Sequence, residues 1–423
     1  MTWGLVIPVL PVYADGLGAG PAVLGGVVAA FGLGRLLVDF PAGMIAQRLD
    51  QRRLLVASVA AIACFTLLTA AVTSIGQLVA VRLLTGLAGG VAMTSGQALL
   101  MHTEPARLGR TMGALQAYQL AGGALGPVIG GVLVGVDARL PFVAGGIILV
   151  TLTLLGVLRP IPRWQPVSHR ARPAGEPGPR LWTAGLVSIS FVGFSIFLVR
   201  FGGQQFLFPV LAYDRAGLSP AQLGTALAVT TLLSLGLVRL AGSVTDRWGR
   251  RPVVVVSTAT LGLVTLGFLG AGSVSVFLTA LVLTGVATAF TGPPTGAYLA
   301  DAVAPQKRGM AVGVYRTFGD LATLVGPLFF GWLVAAGAER AAVVILSGTT
   351  LTASALFTVL SKRHMAHVGS ATAPATPPAG AVAEPAISRA GSRPTLTTAP
   401  EARAVPAGPP PVLSPSSPQG ATR

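Results

Sequence analysis

Apolar runs of about 20 residues, long enough to cross a hydrocarbon core of about 30 Å, recur along most of this chain. Runs of that length belong either in the middle of a very large core or in a bilayer, and composition decides between the two. Of 423 residues, 52% are hydrophobic and only 10% charged, with a mean hydropathy of +0.74. Globular chains carry roughly 25% charged residues. Too little polar surface remains to keep such a chain in water, so the sequence predicts an all-α integral membrane protein. Breaks at charged or Gly/Pro clusters divide it into twelve spans: 1–14, 21–46, 54–73, 77–101, 109–135, 140–158, 182–211, 220–244, 253–271, 273–299, 309–336 and 341–361.

The basic residues fall in short loops on one side of these spans. Arg48, Arg52, Arg53, Arg107, Arg110, Arg247, Arg250, Arg251, Lys307, Arg308, Lys362 and Arg363 share that side, against Arg139, Arg215 and Arg340 on the other. The rich side is expected to face the cytoplasm of a cell-membrane protein. This topology accounts for the net charge of +16 and removes nucleic acid as a partner. The basic, proline-rich stretch RPIPRWQPVSHRARPAGEPGPR divides the spans into two sixes. The expected organisation is a bundle over 1–158, a cytoplasmic linker over 159–181, a second bundle over 182–361 and a disordered cytoplasmic tail over 362–423, rich in Pro, Ala and Ser. The one cysteine, Cys64, has no partner for a disulfide.

The two sixes echo each other. LSPAQLG at 218–224 follows AGPAVLG at 19–25 by 199 residues, and Thr284-Gly285 follows Thr85-Gly86 by the same interval. Pro105, Gly109, Gly113, Gly126-Pro127 and Gly131 recur 200 residues on. Parallel repeats of this kind are expected of a secondary transporter with its site between the halves. The register also places Met1 opposite Arg200, inside the seventh span, so the first span reads as lacking its opening residues and the true start is expected upstream.

These residues resemble the major facilitator superfamily, and within it the twelve-helix drug:proton antiporter branch. GSVTDRWGRRP at 242–252 is similar to that family's G-x-x-x-D-R-x-G-R-R loop, which acts as a latch on the inner side; the resemblance assigns gating to Gly242, Asp246, Arg247, Gly249, Arg250 and Arg251. Gly242 is expected to let helices approach closely. The first-half copy, GMIAQRLDQRR, keeps Gly43 and Arg48 but has Gln47 for the family's Asp, with Asp50 three residues on. LAGGALGPVIGG resembles the antiporter signature G-x-x-x-G-P-x-x-G-G through Gly122, Gly126, Pro127, Gly130 and Gly131. Small residues every fourth position let membrane helices pack backbone to backbone, and a kink is expected at Pro127. Arg82 resembles the family's fourth-helix arginine, linked to proton transfer; reaching the outer surface is its other reading.

Charges inside apolar spans are costly and point to function. Arg35 and Asp39 form an i, i+4 pair in the second span, as Arg316 and Asp320 do in the eleventh. Each carboxylate either takes up the coupling proton or neutralises its own arginine. Gln116, Gln119, Arg200, Gln204, Gln205 and Tyr315 complete the expected substrate and proton pathway. No P-loop, metal-ligand spacing or cofactor motif accompanies them.

The expectation is a monomeric carrier that exports small amphiphilic compounds in exchange for protons and is not an enzyme. A proton-coupled or facilitative metabolite importer and a non-transporting sensor or scaffold are the alternatives.

Overall fold

The computed structural model describes residues 2–46, 50–101, 105–158, 182–303 and 307–371, and among them every regular element is a helix. The first bundle comprises α1 (Thr2–Val6), α2 (Leu10–Asp15), α3 (Pro21–Ala46), α4 (Gln51–Ala70), α5 (Ile75–Met101), α6 (Pro105–Val134) and α7 (Leu140–Leu158). The second begins with α8 (Ala184–Phe197), which runs through a π-helical segment, Leu198–Leu207, into α9 (Phe208–Asp214). It continues with α10 (Pro220–Trp248), α11 (Arg250–Thr265), α12 (Val274–Asp301), α13 (Arg308–Ala335) and α14 (Glu339–Ala371). Ten of the described helical stretches are long and apolar enough to span a membrane. The second to twelfth predicted spans are recovered with shifts at their ends, whereas the first, 1–14, is divided into the short helices α1 and α2. The largest shift is in α14, which runs past Ser361 to Ala371, into the segment read as tail.

Local chemistry sets several boundaries. Before α10 the Ser219 side chain accepts from the Gln222 amide while the Gln222 side chain accepts from the Ser219 amide, and Pro220 follows at the first helical position. Asp50 caps α4 by accepting from the Arg52 amide at 3.0 Å and lies 3.7 Å from Arg53, so this carboxylate serves its own helix end. Gly249, at φ 85° and ψ 155°, parts α10 from α11 in a conformation almost confined to glycine.

Burial separates central from peripheral helices. In the stretch from Ala184 to Asp214, 61% of the apolar window is buried, against 17% for Gln51–Ala70. The first is therefore enveloped by neighbours, whereas the second presents its side chains to lipid.

The bundles meet along two seams, α3 against α13 and α6 against α10. Both depend on missing side chains. A methyl group on Gly25 would strike the Pro327 carbonyl, and one on Gly224 would strike the Pro127 carbonyl. Gly25 and Gly224 are repeat mates 199 residues apart, and Pro127 and Pro327 are mates 200 apart. The two seams are thus one contact used twice. Both sit toward the arginine-poor ends of their helices, where the Tyr213 hydroxyl also donates to the Pro8 carbonyl at 2.6 Å and ties α9 to the first span.

Candidate functional site

The α3–α13 seam encloses a charge pair. Arg35 Nη2 lies 3.0 Å from Asp320 Oδ1, with the two side chains 10% and 1% exposed. Gly25, Gly32 and Arg35 fall on one face of α3, spaced by seven and three residues. On α13, Asp320, Thr323, Pro327 and Gly331 form the matching face, and Gly32 backs directly onto Thr323. At 1.5 Å per residue Arg35 is about 21 Å into its helix and Asp320 about 18 Å into its own, from opposite ends, so the pair meets near mid-membrane. The structure joins Arg35 of one bundle to Asp320 of the other, a partner outside its own helix. The opposite seam carries no such pair, because the repeat mates of Arg35 and Asp320 are Ser234 and Leu120.

Arg200 stands beside this pair, in the π-helical segment. Hydrogen bonds there run i to i+5 and the turn is wider than in an α-helix, so Gln204 and Gln205, four and five residues on, are carried round to the Arg200 face. Both glutamines are half-buried. Arg200 lies deep within the protein and close enough to Arg35 for their charges to repel, yet its surface is open. That combination marks a side chain lining an internal, water-reachable cleft. It makes no ion pair or hydrogen bond among the described residues.

Aromatic rings border Arg200. Phe197 and Phe201 stack with centroids 5.9 Å apart, and Tyr315 meets Phe197 edge-on at 6.4 Å. The Phe197 ring also covers Gly319, next to Asp320. Arg316 is half-buried one turn before Asp320 on the same face of α13. The π-helical segment and this aromatic border had no counterpart in the motif reading. The only hint was the run FGGQQF, whose two glycines leave the backbone free to widen.

The Arg82 guanidinium lies 5.5 Å from the centroid of the Phe31 ring, within one bundle, and its Nε is buried without a hydrogen-bond partner among the described residues. It therefore turns onto an aromatic face of α3, not out to the surface. Gln119 is exposed. The side chains of Asp39 and Gln116, the side-chain positions around Gly43, and the whole of Arg48 lie outside the described residues.

The glycine signature in α6 serves two neighbours. Gly122 and Gly126 receive Gly4 of α1, and Gly130 abuts the Leu5 carbonyl, so one face holds the first span. Pro127 and Gly131 meet Gly224 and Pro220 of α10 across the seam. The α6 helix is continuous from Pro105 to Val134 with Pro127 inside it.

At the arginine-rich ends the expected latch residues bind chiefly within their own bundle. Arg250 pairs with Asp301 and donates to the Ala297 carbonyl at 3.1 Å, both on α12. Arg251 donates to Ser361 Oγ at 2.7 Å and to the Thr358 carbonyl at 3.0 Å, on α14. Arg52, outside the residues assigned to the latch, is the repeat mate of Arg251 and donates to the Gly156 and Val157 carbonyls at the end of α7. Each arginine thus ties to the last helix of its bundle, Arg52 at the C-terminal end of α7, where a cation suits the unpaired carbonyls, and Arg251 partway along α14. Asp246 and Arg247 are exposed. Among the described residues nothing lies within 4 Å of a methyl group placed on Gly242, so in this state that glycine makes no close helix approach.

The comparisons agree with this geometry. The sequence matches the Major Facilitator Superfamily over residues 1–237 and 189–400. It is 25% identical over 359 residues to the class C tetracycline resistance protein of Escherichia coli, covering 79% of this chain and 87% of that one. It is 29% identical over 156 residues to the quinolone resistance protein NorA of Staphylococcus aureus, covering 37% and 40%. Its fold is similar to that of a bacterial homologue of the human lysosomal transporter Spinster, solved in an inward-facing, occupied conformation, with a TM-score of 0.68, 15% identity and coverage of 85% and 94%. A charge pair between two pseudo-symmetric bundles, with an open cleft beside it, is therefore found in a multi-pass membrane transporter, and the chain belongs to the major facilitator superfamily.

Proposed function

We propose that this transporter exports small amphiphilic compounds across the cell membrane in exchange for protons, by rocking its two bundles about a central cleft. The observation that carries the proposal is the buried Arg35–Asp320 pair, because it joins surfaces that must part when the bundles rock. Its two ions attract strongly out of water, so the empty, unprotonated carrier is held shut along the α3–α13 seam. Once substrate has driven the bundles apart, Asp320 takes up a proton from the outer side, which cancels that attraction while the seam is open. When the seam closes again, Arg35 favours the ionised carboxylate and drives the proton off toward the side that is then open. With the arginine-rich face in the cytoplasm, the structure is inward-facing and each cycle carries a proton inward. The relatives named above, a tetracycline and a quinolone resistance protein, support export as the direction.

The test is dissipation of an imposed pH gradient in inverted vesicles when drug-like compounds are added. Dissipation that depends on both the compound and Asp320 supports exchange. Accumulation of a compound with no proton movement would reduce the reading to facilitated transport.

A further inference from the structure

The charge of the cleft carries the reading further. Arg35, Arg200 and Arg316 gather around a single described carboxylate, Asp320. Asp39 lies one turn beyond Arg35 on α3, and counting it still leaves the cations in excess. Arg35 is engaged with Asp320, whereas Arg200 has neither ion pair nor hydrogen bond among the described residues and keeps an open surface. Maintaining a guanidinium so deep in a membrane protein is expensive unless something negative meets it during the working cycle. A cationic compound entering this cleft would face net repulsion. An anion would meet a planar fork of donors, two glutamines on the same wide turn, and the rings of Phe197 and Tyr315 for its apolar body.

We propose that the transported amphiphile is an organic anion, its negative group held by Arg200 with help from Arg35 and its apolar part lying on the Phe197–Tyr315 border. Such a group takes over from Asp320 as the counter-charge of Arg35, so loading the cleft loosens the seam, and a proton taken up on the outer side neutralises Asp320 until the seam closes again. Arg35 and Arg200 belong to different bundles, so the grip on the anion weakens as the bundles part. The inference rests on the reading of the chain as an alternating-access exporter.

The test uses two dyes on one xanthene frame, anionic fluorescein and cationic rhodamine 123. They are offered to inverted vesicles carrying the full chain under an imposed pH gradient, and trapped dye is measured after lysis at fixed pH. Fluorescein is expected to accumulate and rhodamine 123 to stay at the level of empty vesicles. Arg200→Gln should raise the KM for fluorescein about 10-fold or more, the loss of one charge-assisted hydrogen bond. Arg200→Lys should recover part of it, and Arg200→Glu should shift the preference toward rhodamine 123. Accumulation of rhodamine 123 alone, with Arg200→Gln unchanged, would overturn the anion assignment and leave proton-coupled export standing. Fluorescein carried without proton movement would uphold the anion and overturn the exchange. Fluorescein bound but not carried, as expected if Arg200 serves a resident lipid phosphate, would overturn the assignment, and failure of both dyes to bind or move would overturn both readings.

Discussion

Gly224 of α10 rests against the backbone carbonyl of Pro127 in α6, with no room between them for a methyl group. Overpacking of this kind costs about 1–3 kcal/mol where neighbours are backbone and cannot turn aside. Gly224→Ala is therefore expected to lower the thermal unfolding midpoint in detergent. Gly242→Ala, in open space, is expected to leave it unchanged. If Gly242→Ala nevertheless slows transport, its close approach belongs to the opposite state of the cycle.

Asp320→Asn removes the charged partner 3.0 Å from Arg35 inside the seam. Breaking a buried pair from one side typically costs about 3–5 kcal/mol, while replacing both members costs much less. The double variant Arg35→Gln, Asp320→Asn should accordingly be more stable than Asp320→Asn alone. Additive losses in the unfolding midpoints would show that the two charges are not energetically coupled.

Two adjacent arginines should behave differently. The Arg250–Asp301 pair has side chains 43% and 54% exposed, and surface pairs contribute about 0–1 kcal/mol. Arg251 is half-buried and holds α14 through Ser361 and Thr358. Removing charged hydrogen bonds of that sort costs about 1.5–3 kcal/mol each. Chemical unfolding of Arg250→Ala and Arg251→Ala should place the larger loss at Arg251, and equal losses would argue against the bundle-tying role.

The succession of apolar spans, the two-bundle organisation and the repeat were legible in the sequence because lipid imposes them directly. A span must be apolar and about 20 residues long, and the repeat keeps its glycines where backbones touch. Gly25, Gly224, Pro127 and Pro327 could be aligned before any contact was known. The partner of Arg35 could not. Helical spacing offers i, i+4 neighbours, and nothing in one helix reveals which residue of another bundle will face it. Arg200 was recognised as an interior charge, but its exposure and its glutamine neighbours follow from a π-helical segment that local propensity does not announce. Gly122, Gly126 and Gly130, four residues apart, share the face that holds the first span, as their spacing implies, whereas Gly131 meets α10, a neighbour that spacing alone does not name.

The most direct measurement of the account is the distance across the arginine-poor mouth of the α3–α13 seam. Spin labels at Gly20→Cys and Ala336→Cys, both exposed positions flanking that mouth, placed in a Cys64→Ser background, report it by pulsed dipolar spectroscopy. The intact chain at neutral pH is expected to show a single short distance. Adding Asp320→Asn, which mimics the protonated carboxylate, is expected to populate a second, longer one. One unchanged distance in both proteins would contradict the claim that the Arg35–Asp320 pair holds the transporter shut.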